Sequence, residues 1–387
     1  MTVSVTIASF ALGIWLYLIF AHGAFWLGRE CDDEDPPALP KGHRWPSVVA
    51  VVPARNEANM LPRSLASLLA QDYPGSLSLL IVDDQSDDGT AAVAGSMASG
   101  ASRELVVVQG RPLPAEWTGK VWATQQGVAH AEMLGKRPDY LLLTDADIEY
   151  APEALRRLVV RADAMGLVLT SLLAKLNCES LAERALIPPF VFFFQMLYPF
   201  GWVNRSTSAM AAAAGGCMLV ERLALQKAGG IAVIRAALID DCALAKLMKA
   251  EGPIWLGLTD RVRSLRPYPR VRDIRHMVAR SAYAQLRFSP WLLFGTLVGM
   301  VVTYLAAPIL AIFAPYPANA LAALAWILMM LAFQPTLRRY RLSPLWGATL
   351  PLAAVAYLAF TLDSAYQHWQ GRGGAWKGRV QALPVKR

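Results

Sequence analysis

The chain has 387 residues, of which 55% are hydrophobic and 17% are charged. This composition is too apolar for an ordinary soluble protein and too charged for a bundle made only of membrane helices. It predicts a soluble part of roughly 240 residues, enough to bury its own core, together with separate membrane segments. The net charge of +8 could indicate nucleic acid, but the arginines cluster beside apolar segments, so we expect a membrane partner and no nucleic acid.

The four cysteines do not form a recognisable framework. They are scattered along the chain without a CxxC spacing, at Cys31, Cys178, Cys217 and Cys242. This spacing predicts neither a zinc site nor a set of disulfides, and a reducing, cytoplasmic-side location is the default for the soluble part.

The first 28 residues predict an uncleaved membrane anchor. They contain no Lys, Arg, Asp or Glu, and the apolar core over 7–27 is long enough to cross a bilayer. A cleaved signal peptide would need a basic start and a small-residue cleavage site, and both are missing. Residues 29–45 are acidic and proline-rich, typical of a linker. The basic residues that follow the anchor place the next domain in the cytoplasm: Arg29, Lys41 and Arg44.

From Trp45 onward the pattern is that of an α/β domain, which we expect to span residues 46–290. Apolar strands are predicted at 47–52, 77–82, 105–109, 140–143 and 167–172, and amphipathic helices at 58–71 and 90–97. Strands that alternate with helices predict a mostly parallel, doubly wound sheet, whose ligands bind at the carboxyl ends of the strands.

Two polar loops follow the first two strands. The first is Pro53-Ala54-Arg55-Asn56-Glu57, and the second runs from Asp83 to Thr90 and includes Asp84. Acidic side chains at such a position can bind a nucleobase edge or ribose hydroxyls. The alternative is a turn with a helix cap, since Asp, Ser and Gly favour turns. No glycine-rich phosphate loop is present, so phosphates would be neutralised by a metal or by basic side chains.

A pair of carboxylates, Asp145 and Asp147, follows the strand at 140–143. Spaced by one residue, both can face one divalent cation, and hard oxygen ligands suit Mg²⁺ or Mn²⁺. Such an ion would neutralise a departing diphosphate. The alternative is that Asp147 caps a helix beginning near Pro152.

These motifs together resemble family 2 inverting glycosyltransferases with the GT-A fold. The resemblance covers residues 46–290 and is carried by the two loops above, by Asp145-Ala146-Asp147 and by Trp117-Thr118-Gly119-Lys120. The layout, including Gly-Arg-Gly-Gly-Ala-Trp-Lys-Gly-Arg at 371–379, is most similar to the hopene-associated glycosyltransferases, which are relatives of ceramide glucosyltransferases.

The resemblance implies roles for these residues. Lys120 would lie near the nucleotide or its phosphates, although a solvated helix residue is the plain alternative. Asp145 and Asp147 would hold the cation on the diphosphate. The nucleotide-sugar, expected to be a UDP-sugar, would be lined by Pro53, Ala54, Arg55, Glu57, Asp83 and Asp84.

Further motifs concern the acceptor. The sequence Ile239-Asp240-Asp241-Cys242 aligns with the Glu-Asp pair of the family, so Asp241 would be the catalytic base and Asp240 is a conservative departure. A carboxylate is the group needed to take the proton of an acceptor hydroxyl. The alternative is a helix N-terminus, which acidic residues favour. Gly215 and Gly216 would permit close approach near the acceptor, or tight packing alone.

Two stretches are predicted to lie at the membrane surface. Residues 187–203 are uncharged and aromatic, and their prolines make them a poor spanning helix that could deliver a lipid acceptor to Asp241. Residues 272–287 predict a basic amphipathic helix. Arg280 or Arg287 in it could contact the diphosphate, or lie on the surface. The Gln-x-x-Arg-Trp motif of processive relatives is absent, which argues against polymer synthesis.

Three apolar segments follow within residues 291–366, at 291–313, 318–337 and 345–362. Arg338, Arg339 and Arg341 mark the last loop as cytoplasmic. Three crossings would leave the basic tail, 367–387, outside, against the charge rule, so two or three crossings remain open.

The sequence and the resemblance together predict a multi-pass protein of the bacterial inner membrane with a cytoplasmic catalytic domain. It would transfer one sugar, with inversion, from a nucleotide-sugar to a lipid hydroxyl, expected to be hopanoid-related. The alternatives are a processive polysaccharide synthase and a non-catalytic, nucleotide-binding scaffold.

Overall fold

The computed structural model of the chain describes residues 2–36, 39–40, 42–135, 137–374 and 377–378. Its central feature is an eight-stranded sheet with the order β3-β2-β1-β4-β7-β6-β8-β5. The strands are β1 Val48–Ala54, β2 Leu77–Asp83, β3 Leu105–Gln109, β4 Tyr140–Leu143, β5 Ile148–Tyr150, β6 Leu169–Lys175, β7 Met218–Glu221 and β8 Ile254–Ser264.

Helices lie on both faces of the sheet and at both ends of the chain. Those before β7 are α1 Thr2–Phe20, α2 Leu61–Leu69, α3 Thr90–Ala98, α4 Gly119–Met133, α5 Ala154–Met165, α6 Leu181–Leu197 and α7 Phe200–Val203. Those after β7 are α8 Arg222–Lys227, α9 Asp240–Lys249, α10 Val271–Ala279, α11 Ala282–Gln285, α12 Pro290–Met300, α13 Ala306–Phe313, α14 Ala318–Arg339 and α15 Leu350–Trp369. A π-helical turn joins α12 to α13.

The predicted α/β architecture is confirmed, and its first half is the predicted parallel sheet. Strands β3, β2, β1 and β4 are all parallel. In the second half, β7 runs antiparallel to β4 and β6, and β5 runs antiparallel to β8. Strands β5, β7 and β8 were not predicted, because the first two are short and the third carries Asp260, Arg261 and Arg263 within its run.

Several predicted boundaries also differ. The helix predicted from residue 58 begins at Leu61, since residues 58–60 form a turn. The single basic helix predicted over 272–287 is divided into α10 and α11. The prediction that Pro188 and Pro189 interrupt the 187–203 segment is wrong, because α6 runs through both prolines and ends at Leu197. Lys41 and residues 375–376 and 379–387 of the predicted motif and tail lie outside the described residues.

Within the described residues, five helical stretches are long and apolar enough to cross a membrane, judged by length and composition. Three of them pack side by side. Ala8 of α1 contacts Ala318 and Ala322 at the start of α14, and the indole Nε1 of Trp15 donates to the Thr303 carbonyl at 2.8 Å. At the other end of α14, Arg339 lies 3.7 Å from Asp260 of the sheet domain.

The last long helix, α15, lies against the sheet domain along most of its length. The Tyr357 hydroxyl donates to the Leu186 carbonyl of α6 at 2.7 Å. Asp363 pairs with Arg275 of α10 at 3.0 Å, and the Ser364 hydroxyl donates to the Ala279 carbonyl. The opposite face of α15 is exposed and apolar, including Leu352 at 71% exposure. The helix therefore has one face on the domain and one apolar face that is exposed.

Helix α4 approaches the sheet at Gly127. A Cβ atom at this position would lie 2.4 Å from Val51 Cγ1 of β1 and 3.0 Å from Val82 Cγ2 of β2. These valines are buried and β-branched, so neither can turn away at low cost. Gly127 thus sets the distance between α4 and the sheet.

We expect Gly127→Ala to destabilise the domain by about 1–3 kcal/mol, because the added methyl overpacks a tight contact. The measurement is thermal unfolding of the purified protein in detergent. Gly95→Ala on α3 is the matched control, since its Cβ would meet nothing within 4 Å and a helical Ala should be neutral or stabilising. Equal melting temperatures for the two variants would contradict the packing argument.

Candidate functional site

The loops after β1 and β2 are tied together at the carboxyl edge of the sheet. The backbone N–H of Asn56 donates to Ser86 Oγ at 3.0 Å, and that of Glu57 donates to Thr90 Oγ1 at 2.9 Å. Asn56 itself has φ +52°, a conformation that Asn tolerates better than most residues. Residues 86–89 form a turn before α3, whose N-cap residue Gly89 makes no side-chain cap, and Ser86 and Thr90 hold the first loop in place.

The predicted nucleotide-binding residues meet at this edge. Pro53 and Ala54 pair in register with Val82 and Asp83. Asp83 and Asp84 are 1% and 0% exposed. Asp83 Oδ1 is buried without a hydrogen-bond partner in the part of the chain that the structure describes. A buried carboxylate oxygen of this kind is free to accept a hydrogen bond from a ligand.

The second part of the site is a lysine shared by two carboxylates. Lys120, in the first turn of α4, places Nζ 2.8 Å from Asp145 Oδ1 and 3.3 Å from Asp240 Oδ2. Its side chain is 20% exposed, so the prediction of a solvated helix residue is wrong. Lys120 joins the end of β4 to the start of α9.

Asp241 lies beside this group, next to Gly215. Its Oδ2 accepts a hydrogen bond from the Gly215 N–H at 2.9 Å, and its Oδ1 accepts one from the Cys242 N–H at 2.7 Å. A Cβ on Gly215 would lie 3.0 Å from Lys120 Nζ and 3.4 Å from Asp241 Oδ2. The glycine is therefore needed for the close approach of this backbone to the two side chains.

A small cleft of about 20 Å³ lies beside Lys120. It is lined by Pro53, Lys120, Val121, Thr124, Leu143, Thr144, Asp145, Gly215, Met218, Ile231, Ile234, Asp240 and Leu244. Pro53, Lys120, Asp145, Gly215 and Asp240 thus line one cleft, although they come from five separate segments of the chain.

The charges of this group shift its protonation equilibria. Burial and the neighbouring Asp240 raise the pKa of Asp241 to about 6. Burial also raises the pKa of Asp145. Burial alone would lower the pKa of Lys120, but Asp145 and Asp240 raise it above its ordinary value.

Asp147 points to a different partner from Asp145. Its Oδ2 lies 2.7 Å from Arg266 Nε, and Arg266 Nη2 lies 2.6 Å from Glu57 Oε1. The alternative in which Asp147 caps a helix is wrong, because α5 begins at Ala154 without a side-chain cap. Carboxylate neighbours overcome burial and raise the pKa of Arg266 above its ordinary value.

Sequence reasoning missed two cations of the site, Arg266 and Lys377. Arg266 follows β8, which was not predicted, although a basic residue directly after a strand is the signal that could have found it. Lys377 places Nζ 2.9 Å from Glu57 Oε1 and 2.9 Å from the Asn56 carbonyl. Its carbonyl accepts from Arg55 Nε at 3.1 Å. Lys377 lies in the C-terminal motif that the sequence singled out without assigning it a role.

The residues present fit a divalent cation bound together with a phosphate ligand. Five carboxylates (Glu57, Asp145, Asp147, Asp240 and Asp241) face three cations (Lys120, Arg266 and Lys377), so the site has an acidic excess. No cluster of three or more His, Cys, Asp or Glu suited to a metal occurs within the described ranges. Mg²⁺ is commonly held by one or two carboxylates plus substrate phosphates, which matches Asp145 and Asp147.

The remaining predicted residues lie at the edges of the site. Arg280 is exposed and close enough to Tyr268 to act on its pKa, which burial and Asp147 raise to about 12. Arg287 is exposed with φ +52°. The structure therefore places neither arginine in contact with the carboxylates. A Cβ on Gly216 would lie 3.0 Å from Ile148 Cδ1, so Gly216 serves packing.

Comparisons with known proteins agree with this geometry. Residues 49–228 match the family described as Glycosyl transferase family 2. The chain is 31% identical over 132 residues to the succinoglycan biosynthesis protein ExoO of Rhizobium meliloti, covering 34% of this chain and 33% of that protein. It is 30% identical over 132 residues to the 4,4'-diaponeurosporenoate glycosyltransferase of Staphylococcus haemolyticus, covering 33% and 32%. The matched region spans about a third of the length of these relatives.

Among solved structures, the chain resembles the mannosyltransferase PcManGT from Pyrobaculum calidifontis, solved with GDP-Man and Mn²⁺. The TM-score is 0.57 at 20% identity, over 93% of this chain and 98% of that one. This likeness concerns the fold, and the fold includes the helices outside the sheet domain. The chain therefore has the GT-A fold, and the segment that matches the Glycosyl transferase family 2 model, residues 49–228, contains the loops after β1 and β2, Lys120 and the Asp145–Asp147 pair.

Proposed function

We propose that the protein transfers a single sugar, with inversion, from a nucleotide-sugar to the hydroxyl group of a membrane lipid. The observation that carries this proposal is Asp241, a half-buried carboxylate with a raised pKa beside the Lys120–Asp145 pair. A positioned base beside a site for a nucleotide diphosphate is the arrangement that sugar transfer to a hydroxyl requires.

The donor would bind along the carboxyl edge of β1, β2 and β4. Its nucleoside would occupy the tied loops, where Asp83 offers a buried acceptor oxygen. Its diphosphate would lie towards Asp145 and Asp147, where Lys120 and Arg266 are the nearest cations. Mg²⁺ or Mn²⁺ on these two aspartates would supply charge neutralisation of the diphosphate. We retain a UDP-sugar as the expected donor.

The chemical step assigned to this chain is a proton transfer at Asp241. Its carboxylate would take the proton of the acceptor hydroxyl as that oxygen attacks the anomeric carbon. The bond from this carbon to the diphosphate oxygen breaks on the opposite face, which gives inversion. Lys120 pairs with both Asp240 and Asp145. Its positive charge would offset the repulsion between these carboxylates and the departing diphosphate.

The lipid would reach Asp241 along α6. At the end of this helix, the Tyr198 hydroxyl accepts a hydrogen bond from Gln285 Nε2 at 2.6 Å and lies beside Cys242 and Asp241. The ring of Phe194 packs 5.4 Å from that of Tyr198, which continues an aromatic wall toward the apolar helices. A polycyclic, hopanoid-related lipid suits such a wall. The acidic site residues argue for catalysis over a scaffold role.

We further propose three membrane crossings, by α1, by α12–α13 and by α14, with the domain in the cytoplasm. Arg339 at the end of α14 meets Asp260 of the domain, and α15 lies on the domain instead of crossing. The basic tail is then on the cytoplasmic side, which agrees with the charge rule. In a bacterium this membrane would be the inner membrane.

The first prediction tests the reaction and its base. Asp241→Asn should lower the rate of lipid glycosylation about 10²–10⁴-fold, because the amide keeps the shape but cannot take a proton. Nucleotide binding should stay unchanged. Mass spectrometry of lipids from cells that produce each protein should show a hexose-bearing lipid with the wild type and with the control, and little of it with Asp241→Asn. Asp72→Asn, an exposed carboxylate paired with Arg156, is the matched control.

The wild-type enzyme should have a pH dependence set by Asp241. A base acts in its ionised form, so wild-type kcat at saturating donor should fall as pH drops through about 6 and level off above it. An unperturbed carboxylate would not lose activity until about pH 4. A profile flat down to pH 5, or near-normal turnover by Asp241→Asn, would assign the base elsewhere.

The second prediction concerns the metal. Chelation should abolish transfer, and Mn²⁺ or Mg²⁺ should restore it, because the diphosphate needs a counter-charge. Asp147→Asn should raise the metal concentration required for half-maximal activity. Glu149→Gln, two residues away and paired with Arg63, should not. Full activity in the chelator would refute the metal assignment.

The third prediction concerns topology. A green fluorescent protein fused after residue 387 should fluoresce, because the tail lies with the domain in the cytoplasm. Alkaline phosphatase inserted at residue 315, between α13 and α14, should be active, because that turn lies outside. Active phosphatase at the C-terminus would show instead that α15 crosses the membrane.

A further inference from the structure

The segment after α15 returns to the loop that follows β1. Helix α15 ends in a turn in which the Gly371 N–H donates to the His368 carbonyl and the Arg372 N–H donates to the Gln367 carbonyl, both at 2.9 Å. Gly371 has φ +69°. These two bonds and the left-handed glycine define a Schellman motif, which ends a helix and reverses the chain.

Lys377 is the point at which this segment meets the site. The Lys377 Nζ lies 2.9 Å from Glu57 Oε1, and the same oxygen lies 2.6 Å from Arg266 Nη2. One carboxylate oxygen is therefore shared by two cations. Arg266 continues to Asp147 at 2.7 Å. The ammonium group of Lys377 thus stands two contacts away from a residue of the Asp145–Asp147 pair.

We propose that Lys377 is a donor-binding residue whose ammonium group contacts the diphosphate of the nucleotide-sugar. An ammonium has three N–H donors, and two are used by Glu57 and by the Asn56 carbonyl. The side chain is 23% exposed, which leaves the third donor open to a ligand. Glu57 and Asp147 together balance the charges of Arg266 and Lys377, so a diphosphate that arrives with a divalent cation can take the third N–H of Lys377 without leaving Glu57 unpaired.

This inference rests on the proposed function, since it needs a nucleotide diphosphate in the site. It adds a residue outside residues 49–228, where the family match lies. It also links the last helix to the site. Lys377 follows the Schellman turn of α15 and contacts Asn56, a residue of the first loop that lies 321 positions earlier in the sequence.

The test compares ligands with and without phosphates on the full-length protein. Calorimetry would measure binding of UDP and uridine, with GDP and guanosine in parallel. Lys377→Met should weaken diphosphate binding roughly 10- to 100-fold, the usual effect of one charged hydrogen bond, and leave nucleoside binding within about twofold. Lys377→Arg should restore most of the loss. In turnover assays the donor KM should rise while kcat changes little.

The matched control is Lys227→Met, which removes one exposed lysine paired with Glu251 far from the cleft. Equal loss of nucleoside and diphosphate binding by Lys377→Met would overturn the proposal, because it would show that Lys377 only supports the loop. Tighter diphosphate binding would overturn it too, since the lysine would then obstruct the site. If the wild type bound none of these nucleotides, the proposed function itself would fail.

Discussion

The site depends on keeping five carboxylates close together in a partly buried cleft. Like charges at such distances are strongly unfavourable in a medium less polarisable than water. The structure meets this constraint with shared cations: Lys120 lies between Asp145 and Asp240, and Arg266 lies between Asp147 and Glu57. Each cation joins segments that are distant in sequence, so the electrostatics that make the chemistry possible also fix the relative positions of strands and helices.

In this arrangement the two aspartates that follow β4, Asp145 and Asp147, pair with different cations. Asp145 is held by Lys120 next to Asp241, whereas Asp147 is held by Arg266 next to Glu57. A ligand that carries negative charge would compete with the carboxylates for these cations, and a divalent ion would compete with the cations for the carboxylates. Donor and metal are therefore expected to bind together, because either alone would leave one sign of charge uncompensated.

The sequence predicted the parts of the fold and site that depend on local pattern. Strands β3 and β4 were predicted to the residue, since their apolar runs are bounded by polar turns, and Asp145, Lys120 and Asp241 were placed by motif. The missed parts depend on tertiary partners. Strand β8 carries charges that become acceptable through ion pairs, as Arg261 does with Asp32 and Glu153. Arg266 and Lys377 gain their roles only from Glu57, which no local spacing reveals.

The apolar helices are also fixed to the domain by polar contacts, at both ends of the chain. The Asp32 and Asp33 carboxylates that follow the first anchor meet Arg261 and Arg339, and α15 meets α6 and α10. One face of α15 and the aromatic side chains at the end of α6 remain apolar. The proposed lipid acceptor would therefore approach along these helices, whereas the proposed donor would bind at the carboxyl edge of the sheet. The surfaces that the helices leave apolar would thus separate the two substrates.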